Sequence, residues 1–275
     1  MYAVRKTGHL LVGTDIGRLL CAITGWTAGL LAWRLGDRHV VTVEVDADVA
    51  ARASANLSSV GLRPRVITGD GALGFKDGQP YDLVDVTCGV DAIPYTWVEQ
   101  ARPGGTVVLP WMPGWAGGHL TKLVVQDGAA AGRFHGECGF MPLRAQRHPD
   151  RPFEGDVRES QTSAAPSAFT EGGEGLAIAI AGLLPGVNGH GVTNADGSFR
   201  VAARDDESHA LATFPPHGKG ATVRQRGPRN LFDELEVAVQ RWVAWGRPGK
   251  DRFGLTVSRD GQYVWLDDSS NPVKA

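Results

Sequence analysis

Cysteine is scarce in this chain: its three residues, Cys21, Cys88 and Cys138, are odd in number and widely spaced. That pattern excludes a disulfide framework and the close cysteine pairs of a structural zinc site, and it implies free thiols in a reducing compartment. Charge of one sign is also lacking. Against 30 Asp+Glu stand 28 Lys+Arg, a formal net charge of -2, which gives no sign of a surface built to neutralise nucleic-acid phosphates. Long apolar runs are missing too. Residues 19–33 come nearest, and Arg5 and Lys6 ahead of them give a superficial likeness to a secretion signal. Asp15 and Arg18 interrupt that likeness, the run is too short for a bilayer, and no small-residue cleavage site follows. A cytoplasmic protein without a membrane segment is expected. No internal repeat is visible.

What is present is an alternation of apolar strands and amphipathic helices over residues 19–145. A first strand ends near Ile23, a helix over 26–35 stops at Gly36, and a strand follows over 39–45. The next helix starts at Asp46, presents Val49, Ala53, Leu57 and Val60 on one face, and ends at Gly61. Further strands are predicted at 65–68 and 83–87, with a helix at 96–101 running into the turn Arg102-Pro103-Gly104-Gly105 and a strand at 106–109. Segments 120–125 and 133–143 read as antiparallel closing strands. Near-continuous valine and isoleucine fit strands buried on both faces. The fold class is therefore α/β: a Rossmann-like, doubly wound, mostly parallel sheet closed by antiparallel strands, with a smaller α+β unit behind it.

The expected domains are 1–145, a linker at 146–174 rich in Pro, Ser, Gly and charge, and an accessory domain at 175–275. In the last, Asn230 caps a helix with Leu231, Leu235, Ala238, Val239 and Trp242 on one face. A hairpin turning at Asp260-Gly261 follows it. Trp242 and Trp245 are expected in the core.

The most informative stretch is His39-Val40-Val41-Thr42-Val43-Glu44-Val45-Asp46. A carboxylate at the carboxyl end of a parallel strand is placed to take the hydroxyls of a nucleoside ribose. Gly25 lies 19 positions upstream of Glu44, close to the gap of roughly 20 residues between a nucleotide-cradling glycine and a ribose acid. Gly69-Asp70-Gly71 follows the third strand, and the Arg-Pro-Gly-Gly turn precedes the fifth. The chain reads as a nucleotide-cofactor half-domain or its descendant.

In that order these signals resemble the class I S-adenosylmethionine-dependent methyltransferases. Within them they look like the protein-L-isoaspartate O-methyltransferase family, whose Gly-Asp-Gly is distinctive. The resemblance spans about residues 24–143. The tail, 220–273, resembles an extension of actinobacterial members that accompany peptide-modifying gene clusters. The resemblance implies S-adenosyl-L-methionine as cofactor and O-methylation of an aspartyl or isoaspartyl carboxylate in a peptide or protein, specifically a ribosomally made precursor peptide. Residue by residue, it puts Glu44 on the ribose, Asp70 on the adenine amino group and Gly71 where close approach is needed. Thr24, Gly25 and Trp26 would line the methionine portion; Thr87 and Cys88 would sit beside the transferred methyl. No nucleic-acid or membrane partner and no metal is implied, and oligomeric state is left open.

No catalytic residue is singled out. A carboxylate acceptor, with a reference pKa near ~3.9, is already ionised at neutral pH, so positioning can replace a general base. Cys88 reads as a packing residue rather than a nucleophile. His135, His148, His190, His209 and His217 are irregularly spaced and receive no catalytic or metal role.

The chain departs from the family where the first motif should carry an acid and alternate glycines: Leu19, Cys21 and Ile23 stand there, and only Gly25 remains. Nor do residues 1–18 resemble the helices and Ser-rich segment that the family places ahead of it. A truncated or degenerate amino terminus is the expectation. With it comes an alternative, a catalytically impaired homologue serving as a peptide- or partner-binding module through residues 175–275. A nicotinamide dehydrogenase would share the ribose acid, but Gly-x-Gly-x-x-Gly is absent, and Gly13 and Gly17 are poorly spaced for it.

Overall fold

The computed structural model describes the main chain of residues 19–22 and, with side chains, residues 25–115, 117–147, 155–216 and 220–274. The chain divides into two compact units. The first holds the residues up to Cys88 together with Pro94–Leu109 and Lys122–Ala130; the second holds Gly89–Ile93, Pro110–Thr121 and the residues from Ala131 onward.

The first unit alternates strand and helix: β1 (Leu19–Ala22), α1 (Trp26–Leu35), β2 (Val40–Glu44), α2 (Ala47–Ser59), β3 (Arg65–Thr68), β4 (Tyr81–Asp85), α3 (Tyr95–Gln100) and β5 (Ala101–Trp111). The strands lie in the order β5-β4-β1-β2-β3, and each adjacent pair is parallel. Since β1 is flanked by β2 on one side and β4 on the other, sheet growth reverses at β1, the place where open α/β sheets form their ligand crevice. The registers keep the strand ends level: Ala22 pairs with Val43, Val43 with Ile67, and Cys21 with Asp85. The segments following β1 to β4 therefore leave from one rim.

Local chemistry explains the helix ends. Gly25 starts α1 with φ +82°, and Gly36 ends it with φ +92°, both left-handed conformations that cost a side chain dearly. At α2, the Asp46 carboxylate accepts from the N–H groups of Asp48 and Val49, and the helix closes at left-handed Gly61. Its buried face is Ala50, Ala53 and Leu57; Val60, expected there, is 70% exposed because it lies past the last helical residue. The two helices touch through glycine. A Cβ at position 25 would lie 3.2 Å from the Ala53 Cβ, and one at position 29 would lie 3.2 Å from a Leu57 methyl.

Two expectations in this unit are corrected. β4 begins at Tyr81 rather than Leu83, since Tyr81 is fully buried and pairs with Ala101. Residues 102–105 do not precede the fifth strand as a turn; they lie within β5, as an irregularity where the register with β4 shifts between Tyr81 and Leu83. Gly104 has φ +76°, and Arg102 pairs with Asp82 at 2.5 Å.

Strands β6 (Gly118–Gln126) and β7 (Ala129–Cys138) have residues in both units and are joined through Asp127-Gly128, both at positive φ, a two-residue hairpin turn. The second unit carries a five-stranded antiparallel sheet. Its strands are β8 (Arg158–Thr162), β9 (Asn188–Thr193), β10 (Phe199–Arg204), β11 (His209–Phe214) and β12 (Ala221–Arg226), in the order β8-β12-β11-β10-β9. Helices α4 (Ser167–Thr170), α5 (Gly173–Leu183) and α6 (Leu231–Ala244) accompany it, with the hairpin β13 (Phe253–Ser258) and β14 (Gly261–Leu266). β13 is hydrogen-bonded beside β7. Residues 146–174, expected as linker, thus supply a strand and a short helix, because Arg158 to Thr162 find a partner in β12. Asn230 occupies the cap position of α6, but its side chain does not cap: Oδ1 accepts from Arg158, and buried Gln225 takes the Phe232 N–H instead. Trp242 is buried as expected, whereas Trp245 is only half-buried.

Phe214 is fully buried on β11, its ring 6.0 Å from Phe169 and 5.9 Å from Phe199. Phe214→Ala is expected to destabilise the second unit by about 3–5 kcal/mol. Urea unfolding followed by circular dichroism reads this as a lowered midpoint; an unchanged midpoint would contradict that packing.

Candidate functional site

The level strand ends bring most of the expected site residues to one rim of the first unit. Glu44 closes β2, Asp70 follows β3, and Thr87 and Cys88 follow β4. Gly25 follows β1. Thr24 lies outside the described residues, as does Ile23.

Glu44 is half-buried, and its Oε1 accepts from the Asp46 N–H at 2.9 Å, while its main-chain carbonyl accepts from Gly69 N–H at 2.9 Å. The same two-residue turn therefore orients the carboxylate and ties the end of β2 to the end of β3. Oε2 has no hydrogen bond among the described residues. Asp70 is exposed; its Oδ1 accepts from Ala72 N–H at 2.9 Å and caps the single helical turn 71–73, and Oδ2 likewise carries no bond among the described residues. Each carboxylate is thus held by one oxygen and open at the other.

Around Gly71 there is room. Nothing lies within 4 Å of where its Cβ would be, so the close-approach role read for it faces open space. Gly25 is different: its glycine is required by the left-handed φ and by the contact with Ala53, reasons internal to the fold. Trp26 is 72% exposed at the start of α1.

At the end of β4 the chemistry is apolar. Cys88 is buried, and burial, then the charge of Glu44, raises its thiol pKa to about 11, partly countered by a backbone hydrogen bond. The Glu44 contribution shows that the ends of β2 and β4 share one electrostatic neighbourhood. Thr87 beside it has a buried Oγ1 with no hydrogen-bond partner among the described residues. Such a group costs about 1–3 kcal/mol unless a ligand or water reaches it.

Two further residues support the rim. Trp97 on α3 donates from Nε1 to the Gly71 carbonyl at 2.8 Å. Gln100, 1% exposed, accepts from Phe75 N–H and donates to the Leu73 carbonyl. Together they pin the loop that presents Asp70. A glutamine at the end of a helix offers no sequence signal of this kind; its role exists only because the loop folds back over α3. Among the described residues no group of three or more His, Cys, Asp or Glu could hold a metal ion, and no helix is long and apolar enough to cross a membrane.

Residues 16–148 match the family model described as protein-L-isoaspartate (D-aspartate) O-methyltransferase. A protein-L-isoaspartate O-methyltransferase of Methanopyrus kandleri is 35% identical over 145 residues, which cover 50% of this chain and 60% of the relative. One from Pyrococcus horikoshii is 34% identical over 122 residues, 44% of this chain and 55% of that protein. The chain therefore matches little more than half the length of these relatives. Among solved structures, a protein-L-isoaspartate O-methyltransferase superposes with a TM-score of 0.52 at 21% identity, covering 94% of this chain and 78% of the other; this bears on fold alone.

The perturbed thiol gives a direct check on the rim. Below its pKa of about 11, Cys88 is protonated, against a usual value of 9.0, so near pH 8 its alkylation by iodoacetamide is expected to lag a free cysteine roughly a hundredfold. The rate should climb tenfold per pH unit until about 11. Peptide mapping by mass spectrometry reads it, and rapid labelling at pH 7 would contradict the buried placement.

The segment 16–148 is therefore similar in sequence to protein-L-isoaspartate O-methyltransferases, and the strand order is that of the fold of a solved one.

Proposed function

We propose that the chain is an S-adenosylmethionine-dependent O-methyltransferase acting on an aspartyl or isoaspartyl carboxylate of a peptide or protein. A ribosomally made precursor peptide is the specific acceptor. The observation that carries this reading is the pair of half-open carboxylates, Glu44 and Asp70, at a shared rim beside a buried hydroxyl without a partner. The relatives' names point the same way.

The residues present fit the cofactor. Glu44, its Oε1 fixed by Asp46, would accept from the ribose hydroxyls, and Asp70 would accept from the adenine amino group above the open space at Gly71. Gly25 and Trp26, with Thr24, would line the methionine portion. When bound, the cofactor supplies an electrophilic methyl on sulfonium sulfur. The protein's share is to hold the acceptor oxygen in line and exclude water. Thr87 Oγ1, lacking a partner, is available to position a polar group there. Cys88 stays neutral, so it presents a low-polarity wall and no thiolate to compete for the methyl. Its free thiol, with that of Cys138, suits a reducing, cytoplasmic setting.

Titration calorimetry of the full chain with S-adenosylhomocysteine tests the reading. Saturable binding is expected, weakened at least ~10-fold by Glu44→Ala and by a smaller factor by Asp70→Ala, as the loss of charge-assisted hydrogen bonds dictates. No heat at millimolar ligand would overturn it and favour a binding module that has lost methyl transfer.

A further inference from the structure

The second unit holds a cavity of about 410 Å³ that the methyl-transfer site does not use. Trp115, Phe169 and Phe199 give it aromatic walls; His119, Glu137 and Glu174 give it polar ones. A concave site of this size that combines aromatic walls with a few convergent polar groups is a common form of ligand pocket.

Its charges do not cancel. Glu174 on α5 is gripped by Lys250 Nζ at 2.7 and 2.9 Å, so that carboxylate is answered. Glu137 on β7 is exposed and has no cationic partner among the described residues. His119 on β6 is 2% exposed, and neither ring nitrogen makes a hydrogen bond among the described residues. Its Nδ1 comes within 3.4 Å of Glu174 Oε2, close enough for electrostatic attraction but not aligned for a bond. Burial, the largest influence, draws the imidazole pKa down against the opposing pull of Glu174, so near neutral pH the ring adds no positive charge. A neutral imidazole keeps one nitrogen as an acceptor. The cavity thus offers aromatic faces, an unanswered carboxylate and an unused acceptor; His190 also lines it, and among the described residues no lysine or arginine does. Anions are disfavoured; aromatic faces and carboxylates together select cations that donate N–H.

We propose that this cavity binds the basic side chain, lysine or arginine, of a peptide. Aromatic rings pack the alkyl stem, Glu137 meets the charged head at the open side, and His119 is the acceptor within. The inference rests on the reading that the chain handles peptides and adds a selectivity element to it: acceptors carry a basic residue that is held apart from the methylated carboxylate.

The test uses the full chain without cofactor, so that its failure is separate from failure of methyl transfer. The probe is a blocked pentapeptide with one central arginine flanked by alanine and glycine, compared with the same peptide carrying norleucine. Calorimetry is expected to show saturable binding of the arginine peptide and at least tenfold weaker binding of the norleucine peptide. Glu137→Gln, at an exposed position, should weaken the arginine peptide at least fivefold. His119→Phe, which keeps a ring and removes both nitrogens, should weaken it as well, with thermal melts confirming that both variants fold. Equal binding of the two peptides, or unchanged affinity in Glu137→Gln, would overturn the proposal. So would methylguanidinium chloride binding as tightly as the peptide, which would make the ligand a free small cation.

Discussion

Everything at the rim depends on the hydrogen bonding of β1 between β2 and β4. A strand of four residues, paired in parallel on both sides, sets the level at which neighbouring strands end. Glu44, Asp70 and Cys88 come from positions far apart in the chain, and among the described residues none of them hydrogen-bonds to another. What assembles them is strand register. The influence of Glu44 on the Cys88 thiol is the electrostatic trace of that alignment. A one-residue slip of β1 would break the match with both neighbours at once.

Much of the first unit was legible because periodicity and punctuation coincide there. Helix α1 runs over the expected residues since Gly25 and Gly36 bracket it, and β3 does so since Pro64 and Gly69 bound it. Where punctuation misled, the fold differs: Pro103 and the two glycines after it look like a turn but sit as an irregularity inside β5, where its register with β4 shifts. The second unit was harder to read. Helix α5 is apolar all round, with Leu176, Ala177, Ile178, Ala179, Ile180 and Ala181 all buried, so it has no polar face to reveal a 3.6-residue period. Strands β9 to β12 carry glycine, histidine and arginine where strand formers are expected, and only their mutual pairing makes them a sheet.

The candidate site divides in the same way. Glu44 and Asp70 could be found because carboxylates at strand ends have a positional meaning. Trp97, Gln100 and His119 could not, because each acts through segments distant in sequence: Trp97 and Gln100 through the loop after Asp70, and His119 through α5. A lone histidine among apolar residues, as His119 is in the sequence, is ordinarily read as core.

The meeting of α1 and α2 carries a consequence for how this scaffold can vary. Positions 25 and 29 are glycines stacked one helical turn apart, and they face Ala53 and Leu57, stacked with the same spacing. Bulk on one helix must be matched by its absence on the other, so divergence in related chains should proceed through compensating exchanges across this seam. Drift at either helix alone would pry apart the two shoulders from which Glu44 and the first helix reach the cleft.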